Sequence, residues 1–306
     1  MRICFIVAGD INNAGSRMRA YWPARFLPDA TVVTWDDIRR DALPAADVYV
    51  FQKLVDVSLM RRLRDGGALI IWDVCDPAWW FNPGDAGEAS NAADAVVASC
   101  GGLAGDFEAW SGRPARMIPD RLLLSHFTHR QAHTDRAPVR LIWFGAAQNR
   151  IALLAAVANL SRLRANGYEV TLTIADNAPE TAAPWLESEL PVYYTRWTLD
   201  TEAETLAAHD IALLPPYPGP WGAVKSNNKT LTAWAAGLPV SSGLTYDTLE
   251  QLVKLAALRQ GTADDGRLTV KHHYNVEQSA ADWLALVEEL QHGAVNTLHR
   301  AEAVQV

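Results

Sequence analysis

The sequence contains few cysteines and no long uninterrupted hydrophobic run. Its three cysteines, Cys4, Cys75 and Cys100, lie in or beside predicted buried strands. An odd number of buried thiols is typical of a reduced, cytoplasmic protein rather than of a secreted disulfide framework. No segment reaches the length of a membrane span, and the first residues lack the long apolar region and cleavage site of a signal peptide. We therefore expect a cytoplasmic protein without a membrane span.

An excess of positive charge is also missing, since the formal net charge is −8. Residues 1–150 contain 17 lysines and arginines against 17 acidic residues, whereas residues 151–306 contain 10 against 18. The overall charge thus does not indicate a strongly basic nucleic-acid surface, although residues 1–150 are rich in arginine. His126, His129 and His133 lack the cysteine or carboxylate partners of a zinc site. We expect no metal site.

Short apolar runs alternate with helical patterns along nearly the whole chain, which is typical of βα units and parallel sheets. The first series runs from RICFIVA to ARMIP and includes a predicted helix over 16–26. The second begins with VRLIWFG, continues with a long amphipathic helix predicted over 149–167, and ends with helices near 246–258 and 277–291. Between them the apolar pattern weakens. Two βα domains joined by a linker predict a ligand cleft at the carboxyl ends of both sheets.

Two lysines open a predicted helix in the second series, whose segment 225–240 reads KSNNKTLTAWAAGLPV. Lys225 and Lys229 are one turn apart, although the positive end of the helix dipole disfavours cations there. A bound anion would remove this conflict, and the backbone N–H groups of a helix start would add to its binding. The pattern therefore predicts a diphosphate site, with a solvated surface pair as the alternative.

Three motifs of the second half occur in the order found in one enzyme family: IWFGAAQN, DIALLPP and the lysine-bearing segment. AGSRMRAYWPARFL in the first half matches more loosely. With these motifs the chain resembles, over nearly its full length, the retaining family-four (glycosyl transferases group 1) enzymes of the GT-B glycosyltransferases. The resemblance implies an α/β fold of two Rossmann-like βα domains facing each other across a cleft. We expect an acceptor-side domain at 1–125, a linker at 126–137 and a donor domain at 138–306, whose last helix can pack back on the first domain.

The resemblance also implies which residues bind the nucleotide-diphosphate sugar, which would be of UDP or GDP type and is a co-substrate, so that no cofactor is expected. Lys225 and Lys229 would stabilise the leaving diphosphate, and Trp197 would line the nucleobase pocket, although a core aromatic at a strand end is the alternative. The predicted donor-binding residues are Gly145, Asn149, Trp197, Pro216, Tyr217, Ser226, Asn227, Asn228 and Thr230.

One departure from the family concerns its Glu-x7-Glu pair, since Val224 and Thr232 occupy those two positions. Neither can act as a carboxylate, so the usual contacts to the ribose and the donor sugar are not expected. Some members of the family have Lys-Ser-x-x-Lys at this place, and the chain resembles that branch.

The acceptor is expected at the first domain. Asp76 follows a central strand and would orient the acceptor hydroxyl as a third catalytic residue. It is not spaced from Asp73 as in the metal-binding Asp-x-Asp motif of the other glycosyltransferase fold. A capped loop with buried tryptophans is the alternative. The predicted acceptor-binding residues are Gly9, Asp10, Asn13, Ser16, Arg17, Arg19, Asp73, Trp79 and Trp80.

The sequence thus predicts a metal-independent, retaining glycosyltransferase that uses a nucleotide sugar. A saccharide, a small molecule or a hydroxymethylated DNA base remains possible as acceptor. In DNA, arginines would hold phosphates and Trp79 or Trp80 would stack on a flipped base. The missing Glu pair leaves two alternatives, a non-catalytic nucleotide-sugar binding protein and a sugar-nucleotide epimerase of the same fold.

Overall fold

The computed structural model describes residues 1–40, 42–181 and 190–303, with side chains up to residue 292. The chain forms two compact units, each built around a parallel sheet. Unit 1 comprises Met1–Arg121, Ala223–Ser226 and Val276–Val306, and unit 2 comprises Leu122–Gly222 and Asn227–Asn275. The prediction of two Rossmann-like α/β domains is confirmed.

The sheet of unit 1 has six parallel strands in the order β2-β1-β3-β4-β5-β6. Strands β1 and β3 are buried along their whole length, as apolar strands covered on both faces must be. The order reverses between β1 and β3, which is where doubly wound sheets bind their ligands. The strands are β1 Ile3–Val7, β2 Ala30–Thr34, β3 Val48–Gln52, β4 Leu69–Val74, β5 Ala95–Ala98 and β6 Arg116–Met117.

Helices cover both faces of this sheet. The helix predicted over 16–26 is a continuous helical segment of α1 Ala14–Ser16, a π-helical turn and α2 Trp22–Ala24. The last helix of the chain packs on the same unit, where the Trp283 ring meets Phe5 edge-on at 5.5 Å. The other helices are α3 Trp35–Arg39, α4 Val57–Asp65, α5 Pro83–Ala92, α6 Gly101–Ser111 and the last helix, α12 Val276–Ala303.

A buried ion pair lies inside unit 1, at the carboxyl end of β4. Arg19 is 2% exposed, and its Nε donates to both carboxylate oxygens of Asp73 at 2.9 and 2.7 Å. Its Nη1 donates to the carbonyl of Ile118 at 2.7 Å and to Asp120 at 3.2 Å. The carboxylate of Asp73 is fully buried. These contacts join the first helical segment to β4 and to the chain after β6.

Among the described residues of unit 2, five parallel strands form a sheet in the order β11-β10-β7-β8-β9. They are β7 Val139–Gly145, β8 Val170–Asp176, β9 Val192–Arg196, β10 Ile211–Leu213 and β11 Val240–Ser241. The helices are α7 Val157–Ala165, α8 Glu202–Ala207, α9 Asn228–Ala235, α10 Tyr246–Lys254 and α11 Ala256–His273.

Two helices of unit 2 differ from the sequence prediction. The amphipathic helix predicted over 149–167 is a 3-10 helix over Ala147–Ala156 and becomes α7 only afterwards. The sequence reading ended a helix near residue 258, whereas α11 continues to His273. Gly266 lies where α11 packs closely on α9, since an added Cβ there would be 2.4 Å from the ring of Trp234. The glycine that weakens the local helix pattern lets α11 approach α9.

The segment predicted as a linker, 126–137, belongs to unit 2 and contacts its core. Gln131 and Arg136 donate to the fully buried carboxylate of Asp210 at 2.7 and 2.9 Å. The Nε2 of His133 lies 2.9 Å from the carbonyl of Gly237. The segment thus packs on unit 2, where Arg136 offsets the charge of a buried aspartate and Gln131 adds a hydrogen bond.

None of the helices in the described part of the chain combines the length and the hydrophobicity that a membrane crossing requires.

The buried ion pair generates a prediction about stability. Arg19→Ala is expected to lower the free energy of unfolding by about 3–5 kcal/mol, because Asp73 would remain buried without its partner. Urea denaturation at neutral pH measures the change. Arg25→Ala, at an exposed arginine of the same helical region, is the control and should change stability by less than about 0.5 kcal/mol. Equal stability of the two variants would show that the ion pair does not hold unit 1 together.

Candidate functional site

The ammonium group of Lys229 lies over the carboxyl end of β7 in unit 2. Its Nζ is 5.1 Å from the centre of the Trp143 ring, within reach of a cation–π interaction. At Gly145, the last residue of β7, an added Cβ would lie 2.8 Å from this Nζ and 2.9 Å from Cε. The φ angle of Gly145 is +153°, which also favours glycine. Glycine at this position therefore lets the lysine cross the strand end.

Lys229 is also in the first turn of α9, which begins at Asn228 after the cap residue Asn227. That turn, which the structure describes in full, contains no acidic residue. The partial positive charge of the helix start and the ammonium group thus reinforce each other. Together they form a place where an anion is favoured.

The other predicted donor residues of unit 2 lie mostly at the same sheet edge. β10 pairs with β7, so the loop after β10, with Pro216 and Tyr217, begins beside Gly145. Asn149 lies in the 3-10 helix after β7, and its N–H donates to the carbonyl of Ala146 at 2.8 Å. Thr230 is in the same helical turn as Lys229.

Trp197 follows β9, two strands away from β7, which corresponds to about 10 Å across the sheet. Its indole N–H donates to Glu202 Oε1 at 2.9 Å. Glu202 is 4% exposed, and its Oε2 lies 3.3 Å from Nε2 of His126. The half-buried indole is thus fixed in orientation by a buried carboxylate. The sequence reading missed Glu202, which lay unnoticed among the acidic residues of α8.

Lys225 is placed differently from the prediction. It precedes α9, and the segment Ala223–Ser226 belongs to unit 1, whereas Lys229 belongs to unit 2. Val224 is buried in the core of unit 1, and the Ser226 hydroxyl donates to Asp120 at 2.6 Å. The two lysines therefore do not share a helical turn, because Val224 and Ser226, on either side of Lys225, anchor it to unit 1.

In unit 1 the ammonium of Lys225 lies 2.5 Å from Asp76 Oδ1. The other oxygen, Oδ2, lies 2.5 Å from the ammonium of Lys53, a residue that the sequence analysis did not select. Burial alone raises the pKa of Asp76, but the hydrogen bonds from Lys225 and Lys53 outweigh this effect and hold the pKa below its usual value. Asp76 is therefore an ionised hydrogen-bond acceptor at neutral pH rather than a strong base.

The loop after β1 is held by its own side chains. Asn13 caps α1 by accepting from the N–H of Ser16 at 3.1 Å, and the Ser16 hydroxyl accepts from the N–H of Gly9 at 3.2 Å. Asp10 and Asn13 are exposed. These contacts shape the loop between β1 and α1 and keep its polar tip on the surface.

Arg17, Arg19 and Asp73, which were predicted to contact an acceptor, are buried instead. Arg17 is 2% exposed, and its Nη1 donates to the carbonyls of Ile11 and Asn12 at 3.1 and 3.2 Å. Arg19 and Asp73 form the internal ion pair described above. Arg17 and Arg19 were expected to bind an acceptor, but the helical segment directs both guanidinium groups into unit 1. We do not carry these three residues into the proposed site.

The two tryptophans after β4 have different surroundings. Trp79 is 3% exposed and stacks on Trp110 at 5.6 Å, whereas Trp80 is 39% exposed. Both indole N–H groups donate to Asp106 Oδ2, at 2.7 and 2.8 Å. Phe81, which was not selected from the sequence, is 72% exposed. Trp79 belongs to the core, whereas Trp80 and Phe81 are the aromatic residues exposed on the surface after β4.

Within the described residues, no group of three or more histidine, cysteine or carboxylate side chains is arranged to hold a metal ion.

No protein-family model matches the chain, and no curated protein sequence matches it. Solved structures do match. An alpha-glucosyltransferase in complex with UDP and a 13-mer DNA containing a HMU base has a TM-score of 0.70 at 10% identity, covering 94% of this chain and 99% of that one. The lipopolysaccharide outer core galactosyltransferase WaaB has a TM-score of 0.58 at 14% identity, covering 94% and 100%.

TarM of S. aureus, solved with fondaparinux, alpha-GlcNAc-glycerol and UDP, has a TM-score of 0.58 at 14% identity. The match covers 78% of this chain, which spans 55% of the length of TarM. All three proteins are glycosyltransferases. The two units of this chain thus have the GT-B fold, as predicted.

The contact between Gly145 and Lys229 generates a second prediction. Gly145→Ala is expected to lower the free energy of unfolding by about 1–3 kcal/mol, since the new Cβ meets the lysine in a backbone conformation that disfavours it. In a Lys229→Ala background the loss should be smaller, because the clash is gone. Gly261→Ala is the control, since a Cβ there meets nothing within 4 Å and adds roughly 0.4–1 kcal/mol of stability. Equal losses in both backgrounds would show that the two residues do not interact.

Proposed function

We propose that this protein is a glycosyltransferase that moves a sugar from a nucleotide-diphosphate sugar to a hydroxyl acceptor, with retention and without a metal. The proposal rests on the position of Lys229 in this GT-B fold. Its ammonium group lies over Gly145, and the residue itself is in the first turn of α9. This arrangement places one full and one partial positive charge at the carboxyl edge of a parallel sheet. It suits the diphosphate of a UDP- or GDP-type donor.

The proposed chemistry is electrostatic. The bond between the anomeric carbon and the phosphate oxygen breaks, and negative charge accumulates on the leaving diphosphate. Lys229 and the N–H groups of α9 stabilise that charge where it develops. These groups do the work of a divalent cation, so no metal is required. The released phosphate oxygen accepts the proton of the incoming hydroxyl on the same face of the sugar, which gives retention.

Other residues receive more limited roles. We assign the nucleobase to the half-buried ring of Trp197, whose N–H is fixed by Glu202. We assign Lys225 to the acceptor side, because its ammonium group is bound to Asp76 within unit 1. Asp76, held ionised by two lysines, orients the acceptor hydroxyl by accepting its hydrogen bond.

A donor assay tests the function. The protein is incubated with UDP- and GDP-sugars, with an acceptor panel of saccharides, small alcohols and DNA containing hydroxymethylated bases, with and without EDTA. Nucleoside diphosphate released only with an acceptor, and in EDTA as well, is the expected result. Isomerised sugar would establish an epimerase instead, and tight binding without turnover would establish a binding protein. Activity that EDTA abolishes and manganese restores would refute metal independence.

Lys229→Ala is expected to lower kcat about 100-fold or more, since loss of one charge-stabilising donor costs roughly 3 kcal/mol in the barrier. Its stability should change little. Lys271→Ala, at an exposed lysine of α11 in the same unit, is the matched control and should retain wild-type turnover. Wild-type activity of Lys229→Ala would refute the diphosphate assignment.

Among the possible acceptors, we favour a DNA base. The solved structure that matches this chain at a TM-score of 0.70 over nearly the whole of both chains contains UDP and DNA with a HMU base. The exposed rings of Trp80 and Phe81 follow Asp76 along the chain, and flat aromatic surfaces suit an unstacked base. We therefore propose DNA with a hydroxymethylated base as the first acceptor to test.

Salt dependence checks this acceptor. Apparent affinity for duplex DNA should fall steeply with salt, with a log–log slope of about −0.9 for each neutralised phosphate. Donor affinity should fall much less. Trp80→Ala should weaken the acceptor and leave the donor KM unchanged, whereas Leu268→Ala, at an exposed apolar residue of α11, should alter neither. A flat salt response of the acceptor would remove DNA as the acceptor and leave the neutral acceptors of the panel.

A further inference from the structure

We infer that Lys53 is a positioning residue of this enzyme, which fixes the carboxylate of Asp76 so that one face of it can receive the acceptor hydroxyl. The inference rests on the proposed function. It concerns a residue for which neither a motif nor a fold match provides a role.

Lys53 lies at the carboxyl edge of the sheet, the same edge as Asp76. Lys53 directly follows β3, and Asp76 lies two residues beyond the end of the neighbouring strand β4. The N–H of Lys53 donates to the carbonyl of Asp73 at 2.8 Å, which continues the ladder between the two strands. Its ammonium then reaches Asp76 Oδ2 at 2.5 Å. Backbone and side chain of one residue therefore both bind the segment that bears the carboxylate.

The backbone of Lys53 is held in an unfavourable conformation. Its φ angle is +65°, and among the described non-glycine residues only Asp29 shares a positive φ. Left-handed backbone is disfavoured for a lysine and persists only where the surroundings fix it. The preceding residue, Gln52, is fully buried and donates to Cys75 Sγ at 3.1 Å, while its Oε1 accepts from Ser16 at 3.1 Å. The fold thus holds the end of β3 in a strained turn that directs a lysine toward Asp76.

The two lysine contacts do not use all the hydrogen-bond acceptor positions of the Asp76 carboxylate. Lys225 occupies one oxygen and Lys53 the other, while a carboxylate offers about four acceptor positions. The Asp76 side chain is 19% exposed, and Lys53 and Lys225 are 48% and 37% exposed. A hydroxyl can therefore approach a carboxylate whose two oxygens are each bound by an ammonium group. Lys53 takes and gives no proton in this role.

The charged groups around Asp76 determine how it titrates. Its direct partners are the ammonium groups of Lys53 and Lys225. Nearby ionisable groups are Arg19, which binds both Asp73 and Asp120, and Cys75, whose pKa is raised by burial. Loss of Lys53 removes one of the two stabilising cations, so the pKa of Asp76 must rise. Because the ionised form accepts the hydroxyl, activity would then be lost at a higher pH as the solution is acidified.

The test compares wild type with Lys53→Met, Lys53→Arg and the control Lys254→Met. Lys254 forms a comparable ion pair with Glu250 in unit 2. Carbon-13 NMR titration of Asp76 and the pH dependence of kcat are measured for each. For Lys53→Met we expect an upward shift of the Asp76 titration, a matching shift of the acidic limb, and a fall in kcat of about ten-fold or more from the misplaced carboxylate. The donor KM should stay within about two-fold of wild type, since the change acts on the acceptor side.

Lys53→Arg should restore the titration and most of the turnover, and Lys254→Met should behave as wild type. Lys53→Asn has a side chain that tolerates left-handed backbone, so it should melt at or above the temperature of Lys53→Met and show the same reduced kcat. This pair separates loss of activity from loss of stability. If Lys53→Met leaves the Asp76 titration unchanged, the inference is overturned. It is also overturned if the wild type is active and Lys53→Met has the same kcat. If the wild type transfers no sugar, the proposed function fails instead, and the NMR titration still reports whether Lys53 controls Asp76.

Discussion

The buried ion pair between Arg19 and Asp73 is the interaction on which the geometry of unit 1 depends. Arg19 joins the helical segment after β1 to the end of β4, and its second contact reaches Asp120 after β6. Asp120 in turn accepts from Ser226, the neighbour of Lys225. One guanidinium group thus links three parts of the sequence that are far apart. Because a buried charge is tolerated only when it is paired, the ends of these segments are fixed relative to one another.

This network explains why the lysine-bearing motif is divided. Val224 enters the core of unit 1 and Ser226 binds Asp120, so Lys225 stays with unit 1 and meets Asp76. Lys229, four residues later, stands in α9 of unit 2 over Gly145. The two lysines of this motif therefore belong to different units. We assign Lys229 to the donor and Lys225 to the acceptor.

The same fold supports many chemistries, so the function has to be argued from the side chains. The relevant features are the ammonium group of Lys229 over Gly145, a carboxylate held by two lysines, and two exposed aromatic rings after β4. These features suit the binding of an anionic donor and a hydroxyl acceptor. The Glu pair of the resembled family has no counterpart at Val224 and Thr232, which makes cationic stabilisation of the leaving group the main contribution proposed.

The sequence by itself determined the two parallel α/β units, the approximate strands, and the lysine segment as the place to examine. These features follow from local periodicity and from short motifs, which neighbouring residues carry. Tertiary structure decided the rest. The burial of Arg17 and Arg19 and the length of α11 depend on packing against distant residues. The contact between Lys225 and Asp76 joins residues 149 positions apart, and Lys53 has no motif around it. Such contacts could not be predicted because a residue's partner is set by how strands and helices pack, and the spacing of residues along the chain does not contain that information.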